Sequence, residues 1–326
     1  MNFLSSKRLY RQCAALLLMT SICAAAQSTF PTRPITLLVG FTPGGSVDIA
    51  ARVIGEKLGA RLGEAIVIDN KAGATGNIAA AIAAKAPRDG YTMYVATSVN
   101  AVSPHLYKNT AYDPLKDFAP ISRWITTAYI LIVNPSLPVS SVAELIRYAK
   151  ANPGKLNYGS TGIGSPAHLA GEFLSLDAGI KMVHVPFKGG PEVMASIRGG
   201  EVQLTFSPIP VALPMIRAGV VRALGITSTR RSDLVPDLPT IAEQGIPGFE
   251  VISWYGAVAP AGTPASIIAR LSKETAAVLE MADVRAKLAE QGMEPAPLGP
   301  EEFANFFASE VDKYGEVIAK AKIEPM

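Results

Sequence analysis

The sequence predicts an α/β protein built as two similar halves. Three observations carry this. Short apolar runs alternate with stretches of helical spacing beyond residue 30, and the pattern restarts after a break at Asn134-Pro135-Ser136-Leu137-Pro138. Each half also contains a strand-to-helix loop rich in Gly and hydroxyls. Strands separated by helices need right-handed crossovers and a mostly parallel sheet. At 326 residues, 49% hydrophobic and 17% charged, the chain is long and apolar enough to bury the cores of two domains.

Ile35-Thr36-Leu37-Leu38-Val39 is a short apolar run closed by Gly40 and Pro43-Gly44-Gly45, after which Val47 to Leu62 carries apolar residues at helical spacing. Ala65 to Asp69 and Tyr91 to Thr97 repeat the strand pattern, with a turn at Gly73 and Gly76 and an Ala-rich helix from Asn77 to Lys85 between them. In the second half Ser140 and Ser141 open a helix that runs to Lys150. Leu156 to Gly159, His184 to Phe187, Val202 to Ser207 and Arg222 to Thr227 read as strands. The stretch Gly159 to Ser165 opens a helix reaching Ala178, and Pro191 to Arg198 is another.

A Pro- and Gly-rich passage (Pro236, Pro239, Gly245, Pro247, Gly248) then leads into the segment Val251 to Pro260. Three amphipathic stretches close the chain, Pro264 to Glu280, Ala282 to Gln291 and Pro300 to Lys320, and should pack back onto the first domain. Chain crossings between the domains are expected near Arg123 to Ala128 and Glu250 to Ser253.

The amino-terminal residues have the layout of a secretory signal peptide: Lys7, Arg8 and Arg11, an apolar run from Ala14 to Ala26, and Ala24 and Ala26 spaced as a cleavage site. That run is short for a spanning helix, which needs about 20 residues. Residues 1–26 are therefore expected to be removed and the remainder to be periplasmic. Without them the formal charge of +3 vanishes, leaving 27 basic residues against 27 acidic ones with no basic block, so nucleic acid is not an expected partner. Both cysteines, Cys13 and Cys23, fall in the leader, so the remainder has no disulfide, thiol nucleophile or thiolate ligand.

Motifs for chemistry are scarce. His105, His168 and His184 lack the spacing of a zinc site, so no metal is expected. Neither a Gly-x-Ser-x-Gly elbow nor a phosphate loop occurs. Gly162-Ile163-Gly164-Ser165-Pro166-Ala167 matches a loose dinucleotide fingerprint, but the acid expected about 20 residues on is missing, Asp177 being too early and on a helix. No cofactor is expected.

The remaining candidates are the two loops, Phe41-Thr42-Pro43-Gly44-Gly45-Ser46 and Ser160-Thr161-Gly162-Ile163-Gly164-Ser165. Helix amino termini offer unpaired backbone donors and positive partial charge, and Gly lets a ligand approach the backbone. Each loop suits a carboxylate and each could equally be a tight turn. One in each half favours a ligand held between domains.

Many short motifs, in order, now point to a family. Pro43-Gly44-Gly45 with Asp48 and Ala51-Arg52, Asp69-Asn70-Lys71-Ala72-Gly73-Ala74, and Ala86-Pro87-Arg88-Asp89-Gly90-Tyr91-Thr92 come first. Tyr158-Gly159-Ser160, His168-Leu169, His184-Val185-Pro186-Phe187-Lys188-Gly189 and Arg222-Ala223-Leu224 follow. Pro236-Asp237-Leu238-Pro239-Thr240, Trp254-Tyr255-Gly256 and Ala259-Pro260-Ala261-Gly262-Thr263-Pro264 complete the set. Across essentially the whole chain beyond the leader, the sequence resembles the Bug family, the extracytoplasmic receptors of tripartite tricarboxylate transporters.

The resemblance implies a type II periplasmic-binding-protein fold, with two doubly wound α/β domains around a central cleft: domain 1 from 27–125 and 251–326, domain 2 from 126–250. It implies a monomeric receptor that performs no chemistry, closes on a small carboxylate-type ligand and presents it to membrane transporter subunits or a sensor. By that carry-over Phe41, Thr42, Gly44, Gly45 and Ser46 face Ser160, Thr161, Gly162 and Ser165 across the ligand, while Ser98, Asn100, Phe206 and Ser207 complete the wall.

Asp48 either caps the first helix or touches ligand, and His168 either reaches the cleft or is a buried structural histidine. Lys188 either attracts anions or is an ordinary solvated cation, and Trp254 and Tyr255 suit packing better than an aromatic wall. Since the first loop has no acid before Asp48, the ligand is expected to be a plain carboxylate, an aromatic acid or another neutral-to-anionic solute rather than an amino acid. An exported enzyme using the same cleft is the alternative, disfavoured because the sequence displays no nucleophile–base pair.

Overall fold

A computed structural model describes residues 30–187 and 189–325, so the expected leader and Lys188 lie outside the described residues. The first half runs β1 (Ile35–Val39), α1 (Ser46–Leu62), β2 (Ile66–Asn70), α2 (Asn77–Ala84), β3 (Thr92–Thr97) and α3 (Ser98–Leu106). A long strand, β4 (Phe118–Val133), leads into α4 (Val142–Ala151), β5 (Leu156–Ser160), α5 (Pro166–Ala178), β6 (Met182–Pro186), α6 (Gly190–Gly199), β7 (Leu204–Pro208), α7 (Ile209–Arg217) and β8 (Arg222–Ile226). The chain returns through β9 (Ile252–Pro260), α8 (Ala265–Leu279), α9 (Ala282–Ala289), β10 (Glu294–Leu298) and α10 (Pro300–Lys320).

The same plan occurs twice. β1 lies between β2 and β3 and is parallel to both, and β5 lies likewise between β6 and β7. An antiparallel strand follows in each half, β9 beside β3 and β4 beside β7. Because the chain leaves β1 for β2 on one side and returns to β3 on the other, and leaves β5 for β6 and returns to β7 likewise, the carboxyl ends of β1 and β3, and of β5 and β7, flank a topological switch point. Both Gly-rich loops start at those ends.

β4 joins the halves. It pairs with β9 from Phe118 to Ala128 and with β7 from Tyr129 to Val133, changing sheets between Ala128 and Tyr129. The expected span Arg123 to Ala128 thus ends where the exchange occurs. β4 itself escapes sequence reading because Pro120 and two register shifts, at Pro120/Ser122 and Arg123/Ile125, break the period-2 pattern. α3 and α7 escape it too, since Pro104 and Pro214 sit inside them.

One hydrophobic cluster runs from Tyr94 and Val102 in the first half, through Trp254 and Phe307, to Tyr158 and Leu174 in the second. α10 supplies its seam. Phe303 and Phe307 meet the buried Trp254 ring edge-on at centroid distances of 5.5 and 5.0 Å. Glu310 accepts from Trp254 Nε1 at 3.0 Å, so the indole's polar edge is satisfied inside the core. Tyr314 also reaches Phe173 of α5 at 6.3 Å, and the carboxy-terminal helix therefore touches both halves rather than the first alone.

Candidate functional site

The first loop is held from behind by one carboxylate. Asp48, in the first turn of α1 and only 2% exposed, accepts from Gly44 N at 2.8 Å, Arg52 Nε at 2.9 Å and Asn70 Nδ2 at 2.9 Å. Asn70 Nδ2 also donates to the Phe41 carbonyl at 3.0 Å, tying the end of β2 to the loop. Gly44 turns the chain at φ +82°, a conformation that costs a side-chain-bearing residue energy. Burial alone would raise the Asp48 pKa, but the Arg52, Gly44 and Asn70 hydrogen bonds outweigh it and hold the group below its ordinary value. Asp48 therefore caps and braces the loop. Thr42, Gly44 and Ser46 are left exposed, and Ser46 Oγ meets Tyr255 Oη of β9 at 2.8 Å.

Ser98 and Asn100 stand in the first turn of α3, directly after β3 ends at Thr97. Asn100 closes a capping box, its Oδ1 accepting from Thr97 N at 2.8 Å and its Nδ2 donating to Tyr112 Oη at 2.8 Å. With 1% of its surface exposed, its amide is spent on the helix start. Ser98 Oγ lies 3.4 Å from Ser253 Oγ, which in turn is 2.8 Å from Tyr129 Oη. Three hydroxyls thus run from the end of β3 across both connecting strands.

In the second loop two histidines replace the carboxylate. Ser160 Oγ is 2.6 Å from His184 Nε2 of β6 and 3.1 Å from Gly162 N. Gly164 N donates to His168 Nδ1 at 3.0 Å, so the His168 proton resides on Nε2, which faces Glu172 at 3.8 Å. The two rings stack at 4.0 Å, and burial, reinforced for His168 by its neighbour, pushes His168 down to about 3 and His184 down to about 4. Both are neutral at pH 7. Ser165 caps α5, its Oγ accepting from His168 N at 3.3 Å. The sequence shows no nucleophile–base pair, yet the fold brings Ser160 and His184 together from 24 residues apart. Ser160 is wholly buried, and its oxygen is shared with the Gly162 backbone.

Beside this loop lies a cavity of about 190 Å³. Its lining includes the hydroxyl-bearing residues Ser160, Thr161, Thr205, Ser207 and Tyr129 and the apolar residues Phe206, Val193, Met194 and Val211. Among the described residues no charged one lines it. Pro166 and Ala167 of the first turn of α5 add the positive end of that helix. Four of the sequence candidates thus meet in one cavity, namely Ser160, Thr161, Phe206 and Ser207. Phe41, Thr42, Gly44, Gly45 and Ser46 do not line it, nor do Ser98, Asn100, Gly162, Ser165 and His168. Burial raises the Tyr129 pKa, with Tyr255 adding to it, so its hydroxyl stays protonated. Tyr129 and Ser253 were invisible to sequence reading because both lie on the connecting strands. His184 carried a signal in its motif but no hint of its partner.

Two equivalent switch points, one in each half, with a hydroxyl-lined cavity at the second, are the layout of a solute-binding protein of the type II periplasmic-binding-protein fold. A family model described as "Tripartite tricarboxylate transporter family receptor" matches residues 50–323, and the chain belongs to that family. The solved structure "R. palustris Rpa4515 with adipate" is 38% identical, with a TM-score of 0.77 covering 91% of this chain and all of that one, 100%. BugD, described as a periplasmic binding protein, is 32% identical with a TM-score of 0.73 over 91% of this chain and 100% of its own. MatC from Rhodopseudomonas palustris, solved with bound malate, is 31% identical with a TM-score of 0.71 over 89% of this chain and 100% of its own.

Proposed function

We propose that this chain is exported, loses residues 1–26, and acts in the periplasm as a monomeric receptor that closes residues 27–125 with 251–326 (domain 1) onto residues 126–250 (domain 2) around a small carboxylate. It performs no chemistry and hands its ligand to transporter subunits. The observation that carries the reading is the hydroxyl-lined cavity at the carboxyl ends of β5 and β7, in which no described residue is charged. Neutral donors and a helix amino terminus hold an anion without a fixed cation. The relatives solved with adipate and malate support the ligand class.

Closure would bring the exposed loop of Phe41 to Ser46 towards Ser160 to Ser165, a population shift driven by the ligand's greater affinity for the closed state. Ser98 and Asn100 then act from the end of β3, the first through the hydroxyl chain and the second by fixing the start of α3. Gly162, Ser165 and His168 shape the second loop, and the Phe206 ring walls it.

Thermal unfolding of the refolded protein lacking residues 1–26, against mono-, di- and tricarboxylates, amino acids and aromatic acids, tests this. A ligand at ~100 times its Kd adds about 2.7 kcal/mol of folded-state stability. No shift across the panel would sink the proposal. The contact between Ser160 and His184 favours one alternative, chemistry on the bound acid, and product appearing from a stabilising ligand would establish it.

A further inference from the structure

We propose that the acid taken by this receptor carries an unsubstituted hydrocarbon segment, with its carboxylate at Thr161 and Ser207 and its chain along Val193, Met194, Phe206 and Val211. The inference rests on the receptor reading above and names the ligand's second half.

The cavity's hydroxyls are not equivalent. Thr205 Oγ1 donates to the Gly159 carbonyl at 2.7 Å, Ser160 is engaged by His184, and Tyr129 by Ser253. Among the described residues the Thr161 and Ser207 hydroxyls have no hydrogen-bond partner, although Ser207 is only 4% exposed. The Ser207 oxygen is not among the fully enclosed unpartnered atoms, so it stays accessible from the cavity, where a ligand can supply the missing partner. Ser207 marks the carboxylate end, and Thr161, exposed on the same cavity, has its hydroxyl free to join it.

The described apolar lining of Val193, Met194, Phe206 and Val211 offers no hydrogen-bonding side chain. Val193 and Phe206 are buried, while Val211 is 46% exposed at the rim, one of few large apolar side chains left so open. At ~30 Å³ per water-sized group, the cavity holds roughly six such groups, enough for several carbons beyond a carboxylate. A methylene placed there leaves water for an apolar wall, whereas a ligand hydroxyl in the same place loses water and gains no partner. Discrimination against one hydroxyl by an apolar pocket runs from about tenfold to about a hundredfold.

Isothermal titration of the refolded protein with matched pairs tests this: succinate against malate, and glutarate against 2-hydroxyglutarate. The unsubstituted member should bind about tenfold tighter or better in each pair. Met194→Gln and Val211→Thr, both at partly exposed positions, should each cut that ratio several-fold without changing Tm. Equal or tighter binding of the hydroxylated members by the unmodified protein overturns the proposal and leaves the receptor reading standing. Unchanged ratios in both variants overturn the wall assignment, and binding of no acid of either kind overturns the receptor reading itself.

Discussion

Tyr129 Oη and Ser253 Oγ, 2.8 Å apart, join the two strands that carry the chain between the halves. Tyr129 is the first residue of β4 paired with β7 and also lines the cavity, while Ser253 lies on β9 and reaches Ser98. A single hydrogen bond thus links the cavity to the connection between halves. Tyr129→Phe should cost about 1 kcal/mol of stability and weaken ligand binding by about two- to tenfold, the worth of a neutral hydrogen bond. Chemical denaturation and titration calorimetry on the same preparation measure the two effects. Unaltered affinity would remove Tyr129 from the site.

Ser207→Ala separates ligand contact from folding. Since the Ser207 hydroxyl bonds nothing among the described residues, its loss should leave the ligand-free Tm unchanged. Affinity should fall about tenfold, as a charge-assisted hydrogen bond is lost. A large drop in ligand-free Tm would mean the hydroxyl has a structural role.

Asp48→Ala should act in the opposite sense. It strips acceptors from Gly44 N and Asn70 Nδ2 and leaves Arg52 without its carboxylate. Losing the three hydrogen bonds that this buried carboxylate accepts costs about 2–4 kcal/mol in total. Arg52→Ala, whose side chain is half exposed, should cost no more than about 1 kcal/mol. Equal losses in the two variants would contradict the bracing role assigned to the carboxylate.

Much of this architecture is written in local sequence, and what is not has identifiable causes. β1, α1 and the loop between them declare themselves because the apolar run, the glycines and the helical spacing are contiguous. β4 does not, since a bulged strand containing Pro120 has no period to read. Missing β4 hides Tyr129, and with it the link between cavity and connection. Ser160 is legible as a loop hydroxyl, but its contact with His184 depends on the parallel pairing of β5 with β6, which places Tyr158 opposite His184 and Ser160 opposite Pro186. No spacing along one strand encodes a neighbour on the next.

The second loop also predicts an acid-sensitive fold. His168 titrates near 3 and His184 near 4 in the folded protein, both depressed by burial, whereas unfolded histidine titrates near 6.5. Between these values the unfolded chain binds more protons than the folded one, so stability rises with pH and is fully present above about 6.5. As pH falls from 6.5 towards 4, the buried His168 should cost up to about 1.4 kcal/mol per pH unit, and the less buried His184 somewhat less. His168→Gln, which keeps an acceptor for Gly164 N, should flatten that slope while leaving pH 7.5 stability within about 1–2 kcal/mol of the original. Denaturation midpoints at half-unit steps decide the matter: identical slopes in both proteins would show that the acid sensitivity arises elsewhere, and that the ring braces the loop without being forced to stay neutral.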